Sequence, residues 1–261
     1  MGAAVGSALR DKDEHVVWAS DGRSTATTER AEAAGLEDVG TVTELCRRSD
    51  VVISLSPPHA AVDVARACDG FAGLYVDANA VSPATVRAIA SRFERFVDGG
   101  VVGPPPREPG TTRLYLSGDE AGEVAGLFAG TPLEARVVGV DAGAASAVKM
   151  AFAAWTKGSA ALLLAARAVA DANGVESALV EEWRTSLPEL DECLAAAARS
   201  AIGKGWRWIG EMEEIAETFA NAGLPSGFHL AAADVYRRIP RGVSDARSLE
   251  RVLAALLADP R

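Results

Sequence analysis

The sequence predicts an α/β protein: a Rossmann-type, doubly wound parallel sheet without its first strand, followed by an all-helical domain. Three observations carry this. Short apolar, β-branched runs alternate with helical stretches from His15 to Val140, the pattern of a parallel sheet with helices on both faces. Beyond Gly143 the runs stop and every segment reads as helix. Between the two regions lies one long, Ala- and Leu-rich stretch without proline, Gly143 to Asn173, apolar over most of its circumference. The boundary falls near residue 142, giving domains 1–142 and 143–261.

In order, MGAAVGSALRDKD reads as a helix whose first turns are small on every side, so that a strand or a phosphate can approach closely. His15–Ser20 is a buried strand, followed by a turn and a helix that ends at Gly35. Asp50–Ser56 is a second strand, closed by Pro57-Pro58, with a helix from about Ala60 to Cys68. Leu74–Asp77 is a third, followed by the loop ANAVSP and a helix from Pro83 to Arg92. Phe93–Asp98, Arg113–Ser117 and Ala135–Val140 are three more, with a helix at Glu120–Leu127 between the last two. After the long helix come helical segments near 178–186, 188–202, 206–222, 226–238 and 244–257, punctuated by Gly203, Gly205, Gly223-Leu224-Pro225 and Pro240.

Composition narrows the function. The 261 residues carry a net charge of −10, which argues against a nucleic-acid or anionic-membrane surface. No apolar run reaches membrane-spanning length, and the N-terminus lacks the features of a signal peptide, so a cytoplasmic protein is expected. Cys46, Cys68 and Cys193 have no metal or redox spacing and fit reduced thiols; His15, His59 and His229 form no ligand set, and no metal is expected.

Ligands of open α/β sheets bind at the carboxyl ends of the strands. Here those ends carry Ser20-Asp21-Gly22-Arg23-Ser24, Ser56-Pro57-Pro58-His59, Asp77-Ala78-Asn79-Ala80-Val81-Ser82-Pro83 and Asp98-Gly99-Gly100. Each alone is ordinary turn chemistry; the recurrence after successive strands is what points to a site. Lys149 is one of only four lysines and sits among Ala145, Val148, Ala151 and Phe152 on the long helix. Such a lysine is either a snorkelling stem without a role or a desolvated amine able to pass a proton.

The ordered set of motifs resembles the β-hydroxyacid dehydrogenases related to 6-phosphogluconate dehydrogenase. Met1-Gly2 looks like the end of that family's GxGxMG fingerprint, and Arg23 falls near its cofactor-selecting arginine. LSPPHAAVDVA matches its proline loop, VDANAVSP its substrate-side segment, FVDGGVVGPPP weakly its fourth segment, and GAASAVKMAFA its lysine helix. The resemblance covers the whole chain and implies a dinucleotide-binding domain followed by a helical substrate and dimerisation domain. It implies hydride transfer between NADP, with NAD as the alternative, and a small hydroxy or keto substrate, with Lys149 as general acid/base. Gly2, Ala3, Ser20, Asp21, Arg23, Ser24, Ser56, Pro57, Pro58, Val62 and Asn79 fall on the cofactor side. Asn79, Ala80, Val81, Phe152, Thr156 and Trp206 fall on the substrate side, and a homodimer through the helical domain is implied. Imine or enamine reduction on the same scaffold, and a non-catalytic nucleotide-binding protein, are the alternatives.

The departures are specific. Phe152 stands where the family has an asparagine three residues after its lysine, Asn79 replaces the serine of the third segment, and Val102-Gly103-Pro104 replaces a Ser-Gly-Gly. Thr156, two turns beyond Lys149, offers a hydroxyl in place of the lost amide; Lys157 reads as a surface charge or a weaker second candidate. Trp206-Arg207-Trp208 could cap an apolar pocket and offer a cation to an anion, against a plain core reading for at least one tryptophan, and His229 reads as structural or pocket-lining. The sequence starts where the family is finishing its glycine fingerprint. A missing central strand leaves neighbouring backbone groups unpaired, at about 1–3 kcal/mol each. The expectation is therefore an N-terminally incomplete chain that binds dinucleotide poorly, lacking roughly 6–12 residues of apolar strand and a Gly-x-Gly turn.

Overall fold

The computed structural model describes residues 1–258. They divide into two compact units, one from Met1 to Met150 and one that begins at Ala151.

The first unit opens with α1 (Gly2–Arg10), followed by β1 (Val17–Trp18), α2 (Thr25–Ala33), β2 (Glu37–Asp38) and α3 (Val42–Arg48). Next come β3 (Val51–Ser54), a 3-10 turn at Pro58–Ala60, α4 (Ala61–Ala67), β4 (Leu74–Asp77), α5 (Pro83–Ala90) and β5 (Phe96–Val102). β6 (Thr112–Ser117), α6 (Ala121–Leu127), β7 (Leu133–Gly139) and the first turns of α7 (Ala144–Ala172) complete it. β2 and α3 are not anticipated from the sequence: β2 is Glu-Asp, both exposed, and α3 is a two-turn helix with no buried residue. β2 has no apolar pattern to betray it; α3 carries Val42, Leu45 and Cys46 at helical spacing, and the Thr41 hydroxyl caps it by accepting from Glu44 N–H.

The strands form two sheets: β1 pairs with β2 alone, and the other five run in the order β3-β4-β5-β6-β7. No strand among the described residues joins β1 to β3. Alternation along the strands sorts side chains to two faces. Leu74, Val76, Val97, Leu114 and Leu116 pack with Val5 and Leu9 of α1, with Val124 of α6 and with Phe128 just after it. On the other face Val52 and Tyr75 pack with Ala61 and Ala65 of α4, Val86 and Ile89 of α5, and Leu45 of α3. Helices thus cover both faces, as expected.

The parallel sheet carries one reversal: β6 runs antiparallel to β5, and β7 parallel to β6. The reason is in the connection. A parallel return needs a crossover of about a dozen residues or more, usually with a helix. Residues 103–111 hold four prolines and no helix, so the chain turns straight back. Gly103 makes the turn possible: at φ +123 a side chain would be strained, and its Cβ would lie 2.4 Å from the Thr111 carbonyl. The Thr112 hydroxyl donates to Pro104 O at 2.5 Å and closes the base.

The second unit is helical: the rest of α7, α8 (Glu176–Ser186), α9 (Leu190–Asn221), α10 (Gly227–Arg238) and α11 (Ser248–Leu257). A correction falls here. The expected break at Gly203 and Gly205 does not occur, and α9 is one helix of 32 residues. An interior glycine costs only about 1 kcal/mol, and packing outweighs it: Gly205 is buried, and a Cβ there would sit 3.3 Å from the Tyr236 ring of α10. Leu194, Ala198, Ile202, Met212 and Ile215 give α9 the buried face against which the unit assembles.

Candidate active site at the carboxyl edge of the sheet

The site is built around the start of α7. Asp98, on β5, is fully buried. Its carboxylate accepts from Gly143 N–H at 3.0 Å, Ser146 N–H at 2.9 Å, the Ser117 hydroxyl at 3.1 Å and the Ser146 hydroxyl at 2.6 Å. The Ser117 hydroxyl oxygen in turn accepts from Ala145 N–H at 3.1 Å. The first amides of a helix have no partner within it. Here two side chains from neighbouring strands supply the acceptors, and the negative charge sits at the positive end of the helix. Burial pushes the Asp98 carboxyl up from its ordinary range, while the Ser146, Ser117 and Gly143 donors hold it back.

Gly100 sets how close α7 comes. A Cβ there would lie 2.7 Å from Ala145 O and 3.0 Å from Lys149 Cβ. Only glycine lets the helix rest on β5 at this point, and the residue seated over it is Lys149, half-buried. One residue earlier, a Cβ on Gly99 would touch Asp77 O at 3.1 Å and Ala78 Cβ at 3.2 Å. The pair of glycines therefore packs the end of β4 and the start of α7 against β5.

Asn79 is the second fixed point. It is buried, its Nδ2 donates to Ser54 Oγ and to Asp77 Oδ2, both at 2.9 Å, and its Oδ1 accepts from Ser56 N–H at 2.5 Å and from the Ser56 hydroxyl at 3.1 Å. Both amide protons and the oxygen are spent on protein partners. Asn79 thus ties the loop after β3 to the end of β4, and its amide is not aimed at a ligand. Val81 is fully buried in the core beneath the sheet, so only its backbone remains for a ligand; Ala80 is half-buried. Ser82 and Pro83 start α5, with the Ser82 hydroxyl accepting from Thr85 N–H.

At the same edge, a Cβ on Gly2 would lie 3.9 Å from Leu55, so α1 begins beside the end of β3. Pro57 is exposed, Pro58 starts the 3-10 turn, and Val62 packs on the core beside it. The loop after β1 is held by Asp38, whose carboxylate accepts from Ser20 N–H at 3.2 Å and Gly40 N–H at 2.8 Å. The Ser20 and Gly40 bonds hold that carboxyl below its usual value. Asp21 is exposed, and its N–H donates to Gly40 O at 2.9 Å. Arg23 is exposed, and among the described residues no carboxylate or acceptor holds it. Ser24 precedes α2, and its hydroxyl meets Thr27 Oγ1 at 3.1 Å.

The donors at this edge match the negative charge of a dinucleotide's phosphates. The start of α1 is small, exposed at Gly2, and its Gly2 and Ala3 amides are orphan donors of a helix N-terminus. The exposed Arg23 guanidinium, without a partner among the described residues, stands just before α2 beside two hydroxyl residues, Ser24 and Thr25.

The remaining predicted residues belong to the second unit. Phe152 is 48% exposed, and the Thr156 hydroxyl donates back to Phe152 O at 3.1 Å. Trp206 is half-buried under two guanidiniums, with Arg241 Cζ 3.8 Å and Arg207 Cζ 4.9 Å from its ring centroid. The reading of Lys157 as a surface charge is corrected: its side chain is 14% exposed and pairs with the buried Glu211. Its Nζ lies 5.5 Å from the Trp208 ring, which stacks edge-on against Tyr236, and Tyr236 OH donates to Lys157 O at 2.6 Å. His229 is buried against Phe219, with ring centroids 4.2 Å apart.

An uncharacterised 28.5 kDa protein of Methanothermus fervidus is 34% identical over 215 residues, which span 80% of this chain and 82% of that one. A conserved protein of unknown function, described as structurally similar to 3-hydroxyacid dehydrogenases, is 28% identical and superposes with a TM-score of 0.67, over 98% of this chain and 95% of its own. Residues 170–239 match the domain of unknown function DUF1932. The chain belongs to the family of the Methanothermus protein, and its structure neighbours are 3-hydroxyacid dehydrogenase-like. Two further structures share its fold. One is the 3-hydroxyisobutyrate dehydrogenase of Mycobacterium tuberculosis with L-serine, at TM-score 0.69 and 18% identity over 99% and 96% of the chains. The other is a reductive aminase of Aspergillus terreus with NADPH and ethyl levulinate, at 0.54 and 20% over 95% and 94%.

The residues that sequence reasoning passes over are Ser117, Ser146 and Asp38; it places Asp98 at a strand end but not with these partners. Asp98 and Ser146 are 48 positions apart, so no local pattern joins them. The signal that was present is an aspartate inside an otherwise apolar strand, which must find donors once buried.

Proposed function

We propose that this chain is an NAD(P)-dependent oxidoreductase that interconverts a small, carboxylate-bearing hydroxy acid and its keto form, with Lys149 as general acid/base. The observation that carries the proposal is the seating of Lys149 over Gly100 at the carboxyl edge of the sheet, on a helix start clamped by buried Asp98. A proton-transfer group must be held in place, and this one is held by its backbone rather than by a flexible loop. The likeness to 3-hydroxyacid dehydrogenases supports the reaction class.

The nicotinamide, when bound, supplies or accepts the hydride. The chain supplies binding, orientation and the proton. Gly2 and Ala3 N–H groups at the positive end of α1 would face the pyrophosphate. Arg23, with Ser24 and Thr25, would take the ribose 2′-phosphate, which favours NADP over NAD despite Asp21. Ser56, Pro57, Pro58 and Val62 would shape the nicotinamide loop, and Asn79 would act by fixing Ser56. In the reductive direction Lys149 Nζ gives a proton to the substrate oxygen; in the oxidative direction it takes the hydroxyl proton. Phe152 replaces the family's amide with an apolar ring, so the substrate panel should include imines beside hydroxy acids.

The test is Lys149→Met, which keeps the stem and removes the amine. It should retain NADP binding and lose kcat by roughly 10²–10⁴. A variant with most of its activity would reduce Lys149 to packing. Cofactor binding without turnover on any acid, alcohol or imine would support the non-catalytic alternative.

A homodimer is part of the same proposal. On α7, Phe152, Trp155, Leu162 and Val169 are 48%, 76%, 70% and 62% exposed. The last three recur every seven residues and form one apolar seam, which a second copy can meet about a two-fold axis.

A further inference from the structure

The helical unit carries a cationic group that the proposed reaction does not use. Arg207, on α9, and Arg241, after α10, both lie over the ring of Trp206, at 4.9 Å and 3.8 Å. Lys204 lies one turn before Arg207 on α9. All three cations are exposed, and among the described residues none meets a carboxylate. Other arginines of this unit do: Arg184 pairs with Asp191, Arg237 with Glu213 and Asp234, Arg247 with Glu250, and Arg251 with Asp245. In a chain with 36 acidic against 26 basic side chains, two like charges left together without a counter-charge are unusual. The attraction of each guanidinium to the indole holds it in place despite their mutual repulsion.

The group is built on anchored backbone. The loop that carries Arg241 is tied to α9 by Gly242 N–H donating to Ile202 O at 3.1 Å. Arg251 braces the same loop, donating to Val243 O and to Asp245 Oδ1, both at 2.8 Å. The backbone that carries Arg241 is thus held before any ligand arrives.

We infer that Arg207 and Arg241, braced on Trp206 and joined by Lys204, form a binding site for a phosphate-like oxyanion. A single carboxylate offers two oxygens and satisfies one guanidinium fork. A phosphate carries nearly two negative charges and has enough oxygens to serve two forks and an ammonium. The ligand is therefore inorganic phosphate or the phosphoryl group of a phosphomonoester. The site stands whether or not Lys149 moves a proton.

The experiment is calorimetric titration of the whole protein with inorganic phosphate at constant ionic strength, repeated with methyl phosphate and with acetate. Indole emission is followed in parallel, with Trp206→Phe identifying its source. Phosphate should bind saturably, with a matching emission change that Trp206→Phe removes. Arg207→Gln and Arg241→Gln, both at exposed positions, should each weaken binding by at least about tenfold while the melting temperature holds. The Lys149→Met protein should bind phosphate like wild type, which separates this site from the proposed catalysis. Methyl phosphate binding as well as phosphate would point to a phosphomonoester, and phosphate alone to the free ion. No saturable binding, unchanged binding in the double Gln variant, or acetate binding as tightly as phosphate would overturn the inference.

Discussion

At the scale of single residues, the site depends on groups that never touch a ligand. Asp98 provides the acceptors for the opening amides of α7 and so fixes where Lys149 begins. Asp98→Ala should cost at least about 2 kcal/mol, because buried Gly143 and Ser146 amides lose their partner. Urea denaturation reads that cost, and a variant as stable as wild type would mean that water replaces the carboxylate. Asn79 acts in the same manner on the Ser56 loop. Arg23 is the opposite case, an exposed side chain that no partner holds among the described residues. Arg23→Ala should leave stability unchanged and raise the KM for NADPH well above any rise for NADH. Equal effects on the two cofactors would sink the assignment of the 2′-phosphate to Arg23.

At the scale of elements, two close packings carry the argument. The start of α7 rests on β5 because Gly100 has no side chain. Gly100→Ala would place a methyl 2.7 Å from Ala145 O. The backbone would have to shift, at a cost of roughly 1–3 kcal/mol. Cofactor affinity should then hold while kcat falls, since the shift is applied where Lys149 is seated; an unchanged kcat would show that this seating does not matter. α10 gives a pH-dependent counterpart. Burial lowers the His229 pKa below its ordinary value. The folded state therefore binds this proton less readily than the unfolded chain, whose histidine titrates near ~6.5. The stability that follows from a neutral His229 is complete above that pH and declines as pH falls toward the lower folded value. Melting temperature should drop more between pH 7.5 and about 5.5 in wild type than in His229→Gln. Parallel curves would mean that His229 does not titrate in this range.

At the scale of the whole molecule, the exposed seam on α7 is the clearest sign of a further partner. Monomeric proteins rarely leave so much contiguous apolar surface on one helix. Leu162→Glu should convert a dimer to a monomer in sedimentation equilibrium without lowering helix content. A wild type that is monomeric at all concentrations would exclude a second copy as the covering surface. The described residues contain no helix long and apolar enough to cross a membrane, and no cluster of three metal-ligating side chains.

The sequence by itself determined the alternation of strands and helices, the change to all-helical structure after Gly143, and the position of the loops that carry candidate residues. These follow from periodicity and turn chemistry, which are local. It also pointed to Lys149, because a charged residue inside an apolar helix stands out without knowledge of its neighbours. Tertiary structure alone decided the reversal at β6, where a proline-filled loop was too short for a crossover. It decided that α9 runs through two glycines, because packing on Tyr236 outweighs their intrinsic cost. It joined Asp98 to Ser146 and Asn79 to Ser56, and it gathered Arg207 and Arg241 on one indole. All but the first join residues far apart in the chain through packing, hydrogen bonds or a shared ring, and none of these contacts exists until the chain has folded.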